Sequence, residues 1–409
     1  MRLQNPMKKE IIVLTLFLFI MTGCGGNGKS GNDGNTFVTV DVTKNYPKKE
    51  LILQDLMDVE YIALETNEEF ITQGWILATG KDIILVRNDI DDGNIYLFDR
   101  TGKGLRKFNR MGQGPEEYNK NRNNFGVVLD EDNNEIFIND LSKNRILVYD
   151  LFGTFKRSFR HQEGFEFVYI YNFDRESLIC QDDSCYYDEE TTDKLPFVII
   201  SKQDGSVIKD ISIFCQPKIP PTKGIIRNGA IVGSIFLFNN PFTSVIPYRD
   251  SWIFTVYSAD TIFRYFPDHS MIPFIVRTPS IQSDNSETFL HPITLTERYY
   301  ILQTNKLERP EMQGIPPNVS LSIPETYLAY DRQEKTLYEY TVYNDDYSNK
   351  TTVKMLQRTG NGNAFWQRIE AHELVEAYGK GLLKGKLKDI AAKLDMEDNS
   401  VIMLVKYKE

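Results

Sequence analysis

NIYLFDRTGKGLRKF, residues 94–108, lies without a gap over RILVYDLFGTFKRSF, residues 145–159. Asp99 falls on Asp150, Gly102 on Gly153 and Phe108 on Phe159. A third copy, FVIISKQDGSVIKDI, residues 197–211, brings Gly205 under the same glycine, so the unit recurs about every fifty residues. Each copy reads as an apolar strand, a reversal, and a more polar strand carrying Lys or Arg. The glycine belongs to the reversal, because a tight turn needs a positive φ that a Cβ opposes. One such hairpin cannot bury its apolar residues alone, so neighbours of the same kind must cover it.

Working outward, weaker copies run through Trp252–Tyr257 with Asp260–Tyr265 and through Tyr327–Asp331 with Thr336–Tyr340. Between them stand more short β-branched or aromatic runs, at Tyr61–Leu64, Ile83–Val86, Val127–Leu129 and Glu135–Ile138, each closed by turn-forming residues. Helical periodicity is almost absent before residue 365. The fold class is therefore all-β, and the repeated unit is the outer hairpin of a four-stranded blade. A unit of that length copied from about residue 45 to about 365 predicts a six-bladed β-propeller. Radial closure leaves few sheet edges open, which explains how so much strand stays soluble. Leu374, Tyr378, Leu382, Leu383, Leu387, Ile390, Ala391 and Leu394 then recur at three and four, predicting an amphipathic helical addition over about 366–397, broken by Gly379, Gly381 and Gly385 and laid on the propeller. Val401–Tyr407 reads as a returning strand. That strand and Phe37–Val42 are the candidates for closing the ring.

The hairpin at 94–108 is followed by Arg110-Met111-Gly112-Gln113-Gly114-Pro115-Glu116-Glu117-Tyr118. Together with Asp130–Ile138 and Asn144–Asp150, it resembles the six-bladed β-propeller lipoproteins of gut-dwelling Gram-negative bacteria, themselves similar to NHL-repeat propellers. That family carries R-x-G-x-G-P-x-E-Y at the exit of an early blade, and Arg110, Gly112, Gly114, Pro115, Glu117 and Tyr118 match it. Asp398–Lys406 resembles the family's closing strand, with Ser400 in place of the usual Pro. The resemblance covers nearly the whole chain after residue 37, is thin from 215 to 350, and implies fold and location but no activity. The residues themselves favour a structural role for the motif: two glycines open special backbone conformations, Pro115 stiffens the exit and Tyr118 can pack back on the blade. A dinucleotide fingerprint would need a glycine where Glu117 stands, beside acids that repel phosphate.

GCGGNGKS, residues 23–30, satisfies G-x-x-x-x-G-K-S through Gly23, Gly28, Lys29 and Ser30. A phosphate loop needs a helix after it, and Ser30–Asn35 is glycine-rich and leads into the alternating Thr36–Val42 instead. The preceding residues fit export. Met7-Lys8-Lys9 is a basic n-region and Ile11–Met21 an apolar stretch too short to span a bilayer comfortably. Met21-Thr22-Gly23-Cys24 resembles the bacterial lipoprotein box, with Met21 where Leu, Val or Ile is usual. Residues 1–23 are thus expected to be a lipoprotein signal peptide starting at Met1 or Met7, Cys24 the lipidation site, residues 24–36 a flexible tether, and 37–409 the propeller. Two or three acyl chains hold a protein stably on a membrane where one does not.

The net charge of −10 argues against nucleic acid as a partner, and with the phosphate loop set aside no nucleotide is expected. Cys180, Cys185 and Cys215 are an odd set: Cys180 and Cys185 would bridge across a short hairpin, or all three are buried or free thiols. No cofactor or metal motif is present. His161, His269, His291 and His372 are scattered, and DEDNNE (130–135) starts like a calcium loop but has Glu135 at the sixth position and Leu141 at the twelfth. The acidic run Asp182–Glu190 reads as a solvated loop or as part of a ligand site on one propeller face. No nucleophile elbow and no H-E-x-x-H occurs, so no catalytic residue is named. The expected function is a non-catalytic outer-membrane lipoprotein binding a peptide, glycan or protein in the cell envelope, on either membrane face. The alternatives are a metal-dependent propeller hydrolase, lactonase or lyase, and a structural subunit of an envelope complex.

Overall fold

A computed structural model describes residues 37–408 except 89–91, 120–125, 166, 187–194, 216–218, 220–221, 228–229, 237–243, 257–258, 284–287, 308–318, 323 and 356–362. The expected signal peptide, Cys24 and the expected tether lie outside the described residues. The chain opens with β1 (Val38–Asp41), β2 (Lys48–Ile52), a helical turn α1 (Leu53–Leu56) and β3 (Met57–Ala63). Blade I follows as β4 (Trp75–Thr79), β5 (Ile83–Arg87), β6 (Asn94–Asp99) and β7 (Gly104–Asn109). Blade II is β8 (Val127–Asp130), β9 (Glu135–Asp140), β10 (Arg145–Asp150) and β11 (Phe155–Arg160). Blade III is β12 (Phe167–Asn172), β13 (Ser177–Asp182), β14 (Phe197–Ser201) and β15 (Val207–Ile211). After β16 (Thr222–Arg227) and β17 (Ala230–Phe236), blade IV is β18 (Val245–Tyr248), β19 (Ser251–Phe254), β20 (Thr261–Tyr265) and β21 (Met271–Thr278). Blade V holds β22 (Thr288–Leu295), β23 (Tyr299–Lys306), β25 (Glu325–Asp331) and β26 (Thr336–Tyr343), with β24 (Val319–Ser322) inserted. Blade VI is β27 (Asn363–Ile369), then α2 (Ala371–Gly379) and α3 (Gly385–Ala391), then β28 (Val401–Tyr407), with β3 paired to β28. The six-bladed β-propeller expected from the repeat is the fold.

Each blade buries both faces. In β10, Ile146 and Val148 enter the core shared with blade III, while Leu147 and Tyr149 enter the core shared with blade I. In β6, Ile95 and Leu97 face blade II, and Tyr96 and Phe98 face blade VI. Successive side chains point to opposite faces, so two apolar environments demand an unbroken apolar run. That is why IYLF and ILVY do not alternate. Six such cores, one between each pair of neighbours, close the ring.

The repeated hairpin is the outer pair of its blade: β6 with β7, β10 with β11, β14 with β15. Gly102, Gly153 and Gly205 have φ of 89°, 79° and 75°. Asp99 and Asp150 hold their turns by accepting from backbone N–H groups, those of Thr101 and Lys103 and those of Phe152 and Thr154. The glycines have a second reason. A Cβ on Gly153 would come within 2.5 Å of the Phe108 ring, and one on Gly205 within 2.4 Å of the Phe159 ring. The glycine of each copy therefore seats on the phenylalanine of the copy before it.

Three expectations need correction. Phe37–Val42 does not close the ring: β1 adds in parallel to the outer strand β21 of blade IV, and β2 adds in parallel to β26 of blade V. The N-terminal segment so covers two outer edges before supplying β3, which with β28 and β27 makes blade VI. Because β1 runs parallel to β21, the chain enters it heading in the direction in which β21 leaves its turn at 266–270. Trp252–Tyr265 is not an outer hairpin but the second and third strands of blade IV, whereas Tyr327–Tyr340 is an outer pair. The helical addition starts at Ala371 rather than 366, because Trp366 and Ile369 are buried core residues of β27. Leu374, Leu387 and Ala391 lay α2 and α3 into the core between blades V and VI.

Candidate functional face

Antiparallel strands in order put alternate connections at opposite ends of a blade. One end carries short reversals: 80–82, 131–134, 173–176, 249–250 and 296–298 after first strands, and 100–103, 151–154, 202–206, 266–270 and 332–335 in outer hairpins. From the other end the chain leaves after Asn109, Asp182, Ile211, Lys306 and Tyr343 for its longer connections, and the last of these ends on the short-turn side, where Asn363 of β27 pairs with Lys406. The end from which they leave also carries 370–400 with both helices, since Arg368 and Ser400 donate to Gln73 O immediately before β4. β16, β17 and β24 form a separate three-stranded sheet there, built from the connection after blade III and the insertion in blade V. Every long connection leaves from one face, where chain is free of the ladder and available for binding.

The Arg110–Tyr118 motif stands on this face between blades I and II. Gly112 N and Tyr118 N exchange bonds with Tyr118 O and Arg110 O, and Glu117 Oε2 accepts from Gly114 N at 2.8 Å. A Cβ on Gly112 would sit 1.9 Å from that carboxylate oxygen, so a larger residue would displace the Glu117 carboxylate from Gly114 N. Tyr118 is buried, donates its hydroxyl to Gly93 O at 2.6 Å and meets Tyr149 edge-on. From blade II, Arg145 donates to Pro115 O and Glu117 O at 2.6 Å each, Tyr149 OH to Glu116 O, and Lys143 to Gln113 O. Arg110 donates to Gly153 O. The side chains the motif offers and attracts are thus largely spent on the backbone joining two blades.

A different group on the same face is less fully satisfied. His161, directly after β11, is buried against Phe167, and its Nε2 meets Asn139 Oδ1 at 2.7 Å. Asn139 also donates to Phe167 O, which fixes its amide and makes His161 Nε2 the donor. His161 Nδ1 has no partner among the described residues. Burial depresses this imidazole to about 4 against the pull of Asp182 and Asp140, so the ring is neutral at pH 7. At the end of β13, the turn Asp183–Tyr186 presents Asp183, pushed up to about 6 by burial and by Asp182, and held by Gln181 Nε2 at 2.7 Å. A neutral imidazole with an open lone pair and a carboxyl titrating near 6 are environments tuned away from their ordinary values, the mark of candidate functional positions. The histidine carries no motif, and in the sequence it is one of four scattered histidines. Of the acidic run, Asp182–Tyr186 falls here and 187–190 lies outside the described residues.

DEDNNE is at the opposite end, and three of its four acids are taken up by neighbours. Asp130 accepts from Asn133 and from Lys202 Nζ at 2.6 Å, Glu131 from the backbone of Asp82 and Ile83, and Glu135 from both terminal nitrogens of Arg157. It is a hairpin turn that ties blade II to its neighbours, with Asn134 at φ 52°. His269 lies in the turn 266–270 with Nδ1 on Tyr265 OH, His291 is buried beside Gln303, and His372 is exposed on α2. Among the described residues no three His, Cys, Asp or Glu side chains stand close enough to hold a metal ion. Cys180 and Cys185 do not face each other: Cys180, in β13, is in the core between blades II and III, and Cys185, in the turn that follows, is in that between III and IV.

A closed six-bladed propeller with one elaborated face is thus the class of protein. The chain belongs to the family described as a domain of unknown function, DUF4934, whose sequence model matches residues 37–406. It is similar in structure to a candidate exported protein of Bacteroides fragilis NCTC 9343, at TM-score 0.54 and 15% identity over 91% of this chain and 100% of that one. It is also similar to a DUF4221-family protein of Bacteroides vulgatus ATCC 8482, at TM-score 0.43 and 9% identity over 87% and 100%. A third is the virginiamycin B lyase of Staphylococcus aureus, at TM-score 0.36 and 10% identity over 86% and 100%. At such identities the likeness is one of fold. No curated protein matches the chain.

Proposed function

We propose that the chain is a lipoprotein of the outer membrane, held through Cys24, whose loop-rich face binds a peptide, glycan or protein partner without transforming it. The observation that carries this reading is that the long connections leave the blades at one end, the end that also holds α2, α3 and the His161–Asp183 region. A scaffold with no recognition task has no need of such asymmetry. The signal sequence and lipoprotein box support export, and the exported description of the Bacteroides fragilis relative agrees with it.

Fractionation tests the anchor. Cys24→Ala should move the protein from the membrane to the soluble fraction, and retention on the membrane would overturn it. Screening the purified protein against glycan and peptide libraries tests the face. A ligand found in this way should bind at least tenfold more weakly to the double variant His161→Gln, Asp183→Asn and unchanged to Lys103→Ala in a short turn; the reverse pattern would refute the assignment.

A further inference from the structure

Cys185 lies in the turn Asp183–Tyr186 after β13, and Cys215 lies just past β15, where the chain departs for the accessory sheet. Both are buried, at 1% and 3% exposure, in the core between blades III and IV. Their sulfurs face each other at 2.7 Å. Non-bonded heavy atoms settle at roughly 3.5–4.0 Å, and a disulfide at about 2.05 Å. Two thiols do not rest at the observed separation, while a small closing movement forms the bond. The third cysteine cannot compete, since Cys180 is fully buried in the neighbouring core on the other side of β13.

We propose that Cys185 and Cys215 form the single disulfide of the propeller and that Cys180 remains a thiol. The odd cysteine count, which the spacing of 180 and 185 left unresolved, then divides into one pair and one bystander. The bond ties the turn carrying Asp183 to the root of the accessory sheet, so it braces the face assigned above to binding. Its formation removes two electrons and two protons from the pair. The acceptor is an oxidised dithiol carrier or glutathione disulfide, whose own S–S bond breaks to give two thiols. One cysteine thiolate attacks the acceptor and releases its first sulfur as a thiol, and the second cysteine displaces the other. Burial holds the Cys215 thiol far above its ordinary range and closes access to both sulfurs, so exchange takes place before blades III and IV pack, and the finished bond is sheltered from reductant.

Inside cells this inference rests on the export proposed above, so its test has two arms. The full chain is unfolded and refolded in a glutathione redox buffer, and separately recovered from the envelope of producing cells. Both samples are denatured, alkylated without reductant, digested and weighed by mass spectrometry. The expected result in both is a Cys185–Cys215 linked peptide pair with Cys180 alkylated, lost in Cys185→Ala and in Cys215→Ala and kept in Cys180→Ala. Alkylated Cys185 and Cys215 in the refolded sample, or a link from either to Cys180 or Cys24, would overturn the pairing. The link in the refolded sample with free thiols in the cellular one supports the pairing and counts against export instead.

Discussion

Gly153 of blade II rests against the ring of Phe108 on blade I, so closely that a Cβ would intrude to 2.5 Å. The two residues belong to successive copies of one hairpin, and Gly205 on Phe159 repeats the contact. The repeat thus encodes a joint between blades as well as a turn within one.

Gly153→Ala should therefore cost more than its backbone conformation demands. Gly381 is the control, with φ 68° and no described atom within 4 Å of an added Cβ. Gly381→Ala should lower unfolding free energy by about 1–2 kcal/mol, the ordinary price of a left-handed residue, and Gly153→Ala by about 3 kcal/mol or more once overpacking is added. Urea denaturation measures both. Adding Phe108→Ala should recover part of the Gly153→Ala loss; strictly additive effects would disprove the joint.

Lys202 stands in the third copy where the first two have Asp99 and Asp150, and its ammonium reaches Asp130 Oδ2 at 2.6 Å with both side chains buried. Lys202→Met should destabilise by about 3–5 kcal/mol by leaving a buried carboxylate unpaired. Lys202→Met with Asp130→Asn should be milder than Lys202→Met alone. Equal losses in the two variants would show that the charge is not the cause.

Tyr118→Phe removes a hydroxyl that donates to Gly93 O and accepts from Arg110 N. The loss should be about 1–3 kcal/mol, since buried backbone partners are left unmet. If the Arg110–Tyr118 segment joins blades rather than meeting a ligand, thermal midpoint should fall while affinity for any ligand of the loop-rich face at a permissive temperature stays within twofold.

His161 and Asp183 should oppose each other in acid. The imidazole is depressed to about 4 from 6.5, so its contribution is complete above pH 6.5 and is lost as pH falls toward 4. The Asp183 carboxyl is raised to about 6 from 3.8, so its contribution is complete below 3.8 and is lost as pH rises toward 6. Relative to the unmodified protein, Asp183→Asn should lose more stability on going from pH 6.5 to 4, and His161→Gln should lose more on going from pH 4 to 6. Urea midpoints at four pH values read this directly, and parallel profiles for all three proteins would remove both assignments.

Much of the architecture was legible because a propeller is local: a blade is consecutive chain, its hairpins recur at a fixed interval, and its turns need glycine. The structural role of the Arg110–Tyr118 motif was likewise legible from its glycines, from Pro115 and from a tyrosine able to pack back on the blade, whereas the bond from Gly114 N to Glu117 was not. What else stayed hidden depends on neighbours remote in sequence. β1 and β2 join the edges of blades IV and V through backbone bonds, which leave little mark in side-chain pattern. Trp252–Tyr265 mimics the outer hairpin because a middle strand of a doubly buried blade is as apolar as the third.

By itself, then, the order of residues determined the repeat and the closed all-β ring, both carried by short-range periodicity. Only tertiary packing decided that Lys202 answers Asp130, that Cys185 faces Cys215 rather than Cys180, and that His161 is driven neutral beside Asp182. Charge pairing, sulfur pairing and proton affinity are set by distance and burial, and in this ring both are fixed by which blade stands next to which.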